Sequence, residues 1–420
     1  MPRHSRQLAA ALLCALASAG AAAVETSWSA FGTLGAAVSD QEWTYARHVD
    51  DRGTVKRDTV LGAQLDTHFT PAWSATLQAK VAPSLREEDR WDVTASWAFV
   101  SWRPSNEWLV RAGKLRVPLY LFSENLDVGQ SYDFARMPAE TYAIAPTTDM
   151  QGLYVTRSWV LPDSEVNLDL VAGRARVYHR FYTRDQGPAI DHVHTGLVGG
   201  ALSWRKDDLT LRAGFGRATT RLGPSLTFPV SVRYTELNPQ LPGFGAYLPT
   251  SLTNEIVNDI VALGMDWQVV GGWRVLAEYV HNMQHKTRHG FATQGGHLAV
   301  LKSTGRWTPY VVASALKSDR SQKRIRQALE GVRAPAYVPE AIAAPVEASQ
   351  RILADVIPYH DQYTLAVGTS FALNPHSKIK VEWAHTRIQS GSAFVDSPRG
   401  GPPVSHQGVN VLTLNYNFAF

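Results

Sequence analysis

Apolar and polar side chains alternate at period two along almost the whole chain, and this limits the fold more than any other feature. Leu412, Leu414, Tyr416, Phe418 and Phe420 alternate with Thr413, Asn415, Asn417 and Ala419. Alternation of this length predicts a strand with one apolar and one polar face. The pattern recurs upstream. Trp28, Ala30, Leu34, Ala36 and Val38 share one face, and Leu61, Ala63, Leu65 and Phe69 oppose Gln64, Asp66 and His68. Trp73, Ala75, Leu77, Ala79 and Val81 oppose Ser74, Thr76, Gln78 and Lys80. Tyr363, Leu365, Val367 and Phe371 repeat the pattern near the end, as do Ile379, Val381 and Trp383 against Lys380 and Glu382. A soluble domain seldom finishes on an uninterrupted apolar stripe, because terminal residues are usually frayed and polar.

Connection lengths extend the argument. Short breaks fall near 70–72, 104–106, 161–163, 205–207, 270–272, 304–305 and 374–376. Longer ones fall near 40–57, 118–149, 175–191, 221–255, 319–358 and 389–407, with modest members at 84–90 and 285–290. Tight turns at one end and long loops at the other describe an all-β, antiparallel up-and-down barrel spanning an outer membrane. The segmentation gives about sixteen strands. At about 11 residues per tilted strand these use roughly 180 residues, which leaves enough of the 420-residue chain for the loops. Closure also removes the free edge that lipid could not satisfy. Trp73, Trp108, Trp159, Trp204, Trp273, Trp307 and Trp383 lie near expected strand ends and suit an interfacial girdle. A secreted sandwich or propeller would explain the alternation, but not the rhythm of the loops, and no internal repeat supports a propeller.

Residues 1–23 read as a secretory signal peptide: Arg3 and Arg6, an apolar run over 8–17, then Ala21, Ala22 and Ala23. Cleavage after Ala23 removes Cys14, the only cysteine, leaving 24–420 as a barrel without disulfides or thiol chemistry. The formal net charge of +4 is too small to suggest a nucleic-acid binder. The strand pattern starts at Thr26, which leaves no room for an N-terminal plug. No stretch reads as a membrane helix.

With the leader, the first strand Ser29 to Gly35 and the terminal Tyr416 to Phe420 on the page, the mature chain resembles Gram-negative outer-membrane porins. The stretch Arg111 to Pro118, running into Tyr132, Asp133, Arg136 and Glu140, is similar to their fifth strand and third loop. The resemblance implies sixteen-stranded subunits in homotrimers, with an inward-folded third loop that narrows a passive, water-filled channel for small hydrophilic solutes and ions. It also implies contact with outer-membrane lipid and lipopolysaccharide, and recognition of Phe420 by the barrel-assembly machinery. On that basis 118–149 forms the constriction. Glu124, Asp127, Asp133 and Glu140 are the candidate acids; Lys80, Arg111, Lys114, Arg116 and Arg136 are the candidate bases. Opposed charges across a narrow opening favour polar solutes and tune ion preference. Each charge could equally pair locally and hold the loop to the wall. A substrate-specific channel is the alternative, and a barrel hydrolase a more distant one.

No Gly-x-Ser-x-Gly elbow, phosphate loop or complete dinucleotide fingerprint occurs, so neither an enzyme nor a cofactor is expected. His192 and His194 could share a strand face as metal ligands, but a surface-loop pair is the simpler reading. His281, His285 and His289 read as solvated histidines at a strand end. Segments 321–333 and 341–352 could form short helices within the loop 319–358, acting as a lid or presenting Arg320, Lys323, Arg324 and Arg326 to lipopolysaccharide.

Overall fold

A computed structural model describes residues 24–144, 149–222 and 227–420. The proposed signal peptide therefore lies outside the described residues. Sixteen strands close into one barrel: β1 Glu25–Ser39, β2 Val60–His68, β3 Trp73–Pro83, β4 Trp91–Ser105, β5 Trp108–Arg116, β6 Asp149–Leu161, β7 Ser164–Thr183 and β8 Gly187–Lys206 make the first half. The second half consists of β9 Leu209–Arg221, β10 Glu255–Val269, β11 Trp273–His285, β12 Thr293–Lys302, β13 Trp307–Ser318, β14 His360–Asn374, β15 Ser377–Ser392 and β16 Gly408–Ala419. Every neighbouring pair is antiparallel and sequential, and β16 returns to β1 with Phe31 opposite Ala419 and Val38 opposite Leu412. Beyond this register, Ala30 and Phe420 exchange backbone hydrogen bonds of 2.7 and 2.9 Å.

The period-two pattern becomes two surfaces. Leu61, Leu65, Leu77, Leu298, Val300, Leu412 and Leu414 stand exposed on the outside, while Gln78, Thr413, Asn415 and Asn417 are buried within. An apolar outer surface is stable only against lipid, because in water this much exposed hydrocarbon would drive association. Tryptophans mark the short-turn end. Trp73 stacks on Trp102 at 5.9 Å, Trp307 meets Phe371 at 4.5 Å, and Trp28 meets Phe420 edge-on at 6.1 Å. Trp383 departs from the expected girdle, since it sits well inside β15 rather than at its end. No helix among the described residues is long and apolar enough to cross a membrane.

The expected long loop over 175–191 does not exist. There β7 and β8 continue as strands of 20 residues each, joined by 184–186. That is about twice the 9–11 residues a tilted strand needs to cross, so the hairpin overhangs the long-loop end. His192 and His194 consequently lie within β8, with ring centroids 5.8 Å apart, and not in a loop. His289 is buried rather than solvated, and His281 lies within β11. The loop 319–359 carries α2 (Arg320–Glu330) and α3 (Glu340–Asp355); α1 (Ala139–Tyr142) is a single turn in the connection after β5. Arg184, at the tip of the overhang and 2 % exposed, pairs with Glu330 at 2.6 Å and with Asp355 at 2.8 Å, while Arg351 reaches Asp185 at 3.0 Å. These pairs fasten both helices to the overhanging hairpin.

Candidate functional site: the third loop inside the barrel

Pro118 ends β5 because it has no N–H to continue the ladder, and the chain then turns inward. Its apolar residues settle on an inner wall that is unexpectedly apolar. Phe122, Phe134 and Met137 pack on Leu276, Ala299, Leu301, Tyr310, Val312 and Ala366, while Leu119, Tyr120 and Ile144 pack on Ile260, Ala262, Val280 and Leu316. Each large side chain removed from water contributes about 1.5–3 kcal/mol, so β10 to β14 and the loop stabilise one another. Close approach requires absent side chains. A Cβ at Gly295 would lie 2.1 Å from the Glu140 carbonyl oxygen, and one at Gly214 would lie 2.6 Å from that of Leu119.

Polar anchors fix the loop between these contacts. Lys380, fully buried on β15, donates from Nζ to the carbonyls of Gly129 at 2.6 Å and Phe134 at 2.8 Å. The Ala135 N–H donates to Tyr310 Oη at 2.8 Å, and Tyr310 in turn donates to Glu382 at 2.9 Å. The Leu121 N–H donates to Glu278 at 2.6 Å. Glu140 is buried and accepts from Ser314 at 3.0 Å, Gln362 at 2.8 Å and Thr364 at 2.5 Å.

Most of the remaining charges gather where the loop meets the opposite, polar wall of β2 to β6, while Asp133 turns to β14 and β15. Asp127 bridges Lys80 at 2.7 Å and Arg116 at 2.6 Å, and Arg116 also reaches Asp149 at 3.3 Å. Burial by itself would raise the Asp127 carboxyl, but Lys80 and Arg116 outweigh it and hold the pKa well below the ordinary range. Lys114 lies 3.8 Å from Asp149 and donates to the Ala95 carbonyl. Arg111 reaches Glu124 at 3.4 Å, with its guanidinium 4.5 Å over the Tyr154 ring; Glu124 is half exposed. Arg136 pairs with Asp58 at 2.6 Å, in the connection before β2. Asp133 takes Lys378 at 3.1 Å and Ser370 at 2.7 Å, which lower its pKa against the opposing effect of burial.

All nine charged residues expected at the constriction thus have partners. Lys80, Arg116 and Asp127 form one cluster with Lys114 close by through Asp149, and Arg111 and Glu124 form a more open pair. Arg136, Asp133 and Glu140 are spread along the loop on separate anchors. Asp58, Asp149, Glu278, Lys378, Lys380 and Glu382 complete the arrangement and were not among the candidates. Lys380 and Glu382 did carry a signal, since both occupy the polar face of an alternating strand.

No family model and no curated protein matches this sequence. Solved structures do match its shape. In-vitro folded OmpT of Vibrio cholerae, an outer-membrane protein in trimer form, aligns at TM-score 0.53 and 9% identity, covering 95% of this chain and 100% of its own. The outer-membrane channel DcaP of Acinetobacter baumannii aligns at 0.51 and 11%, covering 94% and 97%. An anion-selective porin from Comamonas acidovorans aligns at 0.50 and 10%, covering 94% and 100%. The chain has the closed sixteen-stranded fold of bacterial outer-membrane porins.

Proposed function

We propose that the protein is a passive channel of the Gram-negative outer membrane, exported by the leader at 1–23, in which the third loop narrows the lumen. The observation that carries this reading is the loop's seat. It lies inside the barrel against the apolar half of the wall, and it presents a charged edge of both signs to the polar half. Such an edge sets a transverse field across the remaining opening, where it favours small hydrophilic solutes and ions over apolar ones. Arg111 and Glu124, the most open of these pairs, are assigned to the narrowest water-facing edge, with the Lys80, Arg116 and Asp127 cluster behind them. The similarity to OmpT in trimer form supports a homotrimer. Arg320 and Arg324, exposed on α2, are the residues of that helix available to lipopolysaccharide, and Phe420 is available to the assembly machinery.

Planar-bilayer recording of purified protein tests the reading. Stepwise conductance in potassium chloride is expected, with a reversal potential in a salt gradient that reports the sign of selectivity. Absence of any conductance step from folded protein would overturn it.

A further inference from the structure

A cavity of ≈ 450 Å³ lies in the lumen at the long-loop end, between the inner faces of β7 to β11 and the chain that follows α3. Its size is that of a small-molecule site. For the inside of a water-filled barrel its wall is notably apolar: Val177, Phe181, Val193, Ile256, Phe291 and Ile357 all line it.

Two sets of polar groups break that wall. Asn258, Asn282 and Gln284 line the cavity, and the side-chain carbonyl oxygen of each is buried with no hydrogen-bond partner. Asn258 and Gln284 are directly opposed across β10 and β11, and Asn282 lies two residues along the same face. Opposed side chains stand about 4.5–5.5 Å apart and diagonal ones about 7–8 Å, so the three acceptors form one patch. Asn282 is 2% exposed, and its amide is oriented because Nδ2 donates to the Phe291 carbonyl at 2.8 Å. Buried acceptors without donors are costly and uncommon.

The second set is cationic. Arg180, Arg184 and Arg326 line the cavity. Arg180 is consumed by Glu88 and Asp396, and Arg184 by Glu330 and Asp355. Arg326 makes no ion pair or hydrogen bond among the described residues and lies 5.6 Å over the Tyr359 ring. Of the acids on the lining, Asp355 belongs to Arg184, and Asp191 is an exposed rim residue that accepts from the His192 N–H at 2.7 Å.

We infer that this chamber binds an amphipathic organic monoanion, with a carboxylate at Arg326, an apolar body along the valine, isoleucine and phenylalanine wall, and a hydroxyl or amide donor at the Asn258, Asn282 and Gln284 patch. The inference rests on the channel reading and deepens it by naming a class of solute. Such a chamber raises the local concentration of its solute above the third loop, so flux of that class saturates while flux of simple salts does not.

Calorimetry on the purified full chain in detergent, against a detergent blank, tests it with hydroxyphenylpropionate, the neutral hydroxyphenylpropanol and phenylpropionate. The hydroxy acid should bind at least about tenfold more tightly than the alcohol, and Arg326→Gln should erase that preference with a loss of about tenfold to a hundredfold. Arg326→Lys keeps the charge and should keep most of the preference. Asn282→Leu should weaken the hydroxy acid while leaving phenylpropionate unchanged. Equal binding of acid and alcohol, or no binding of either to the wild type, overturns the inference. Conductance in plain potassium chloride separates the two readings. Conductance without acid binding sinks the chamber alone, whereas acid binding without conductance supports the chamber and sinks the channel.

Discussion

Asp127→Asn tests how the third loop is held and what charge it contributes. The substitution keeps the shape of the side chain and removes its charge, leaving Lys80 without its carboxylate partner and Arg116 with Asp149 alone at 3.3 Å. Breaking a buried pair by removing one partner costs about 3–5 kcal/mol. Because the Asp127 side chain retains 17% exposure, water recovers part of that cost, and the lower end, about 3 kcal/mol, is expected. That corresponds to about a hundredfold shift in the local docking equilibrium of the loop. The anchors at Lys380, Tyr310 and Glu278 remain, so the segment near 124–128 loosens while the rest stays seated. Single-channel recording should show a larger and noisier conductance, and the reversal potential should move toward anions as a negative charge leaves the edge. Acid should mimic the substitution. The Asp127 pKa is depressed below its unfolded value of about 3.9, so the tether is at full strength above about pH 4 and fails as pH falls further toward the folded value. The variant should lack that acid-dependent change. Conductance, noise and reversal potential all matching wild type at neutral pH would refute the argument.

Gly295→Val would place its Cβ 2.1 Å from the Glu140 carbonyl oxygen; overpacking of this kind costs about 1–3 kcal/mol, and a lower thermal midpoint with increased conductance is expected. Arg184→Ala leaves Glu330 and Asp355 without their shared cation, a local loss of about 3–5 kcal/mol, which limited proteolysis should report as faster cleavage within 319–359 while the barrel stays intact. His48, in the connection after β1, has its pKa pushed down to about 4 by burial and by neighbouring Arg47, against the opposing charge of Glu88. The unfolded chain therefore binds the extra proton first, and stability should fall as pH drops from about 6.5 to 4. His48→Gln should flatten the thermal midpoint across that window, and an unchanged slope would show that His48 does not carry it.

The strands were legible because lipid on one side and water on the other impose period two on every crossing segment. That signal reverses beyond the lipid, where the outward face of β7 carries exposed Arg174 and Arg176 while Ala175 and Val177 are buried on the inner face, and this charged stretch, with Arg180 and Asp191, reads as a loop. It fails differently on β11. There Val275, Leu276 and Ala277 are all apolar, because Leu276 faces the buried third loop while its neighbours face outward. The charged residues of 111–140 could be picked out as a group, but their partners could not. Asp58 lies far upstream, and Lys378, Lys380 and Glu382 lie far downstream, so only the closed barrel brings them to the loop. The unpartnered acceptors of the outer chamber have no sequence signature, since Asn and Gln on an inward face look the same whether satisfied or not.

The seam between β1 and β16 bears on folding kinetics. Fifteen of the sixteen strand pairings join sequence neighbours, whereas Phe31 opposite Ala419 joins residues nearly a whole chain apart. Loop-closure entropy is lost before such a distant contact returns any energy, and folding slows as contacts become less local. The hairpins can therefore form early and the seam last, with the sheet open at both edges in between. Mutual hydrogen bonds between Ala30 and Phe420, flanked by the Trp28 contact with Phe420, make the latch of that seam, so weakening it lowers the stability of the closed barrel and prolongs the open sheet by at most the same factor.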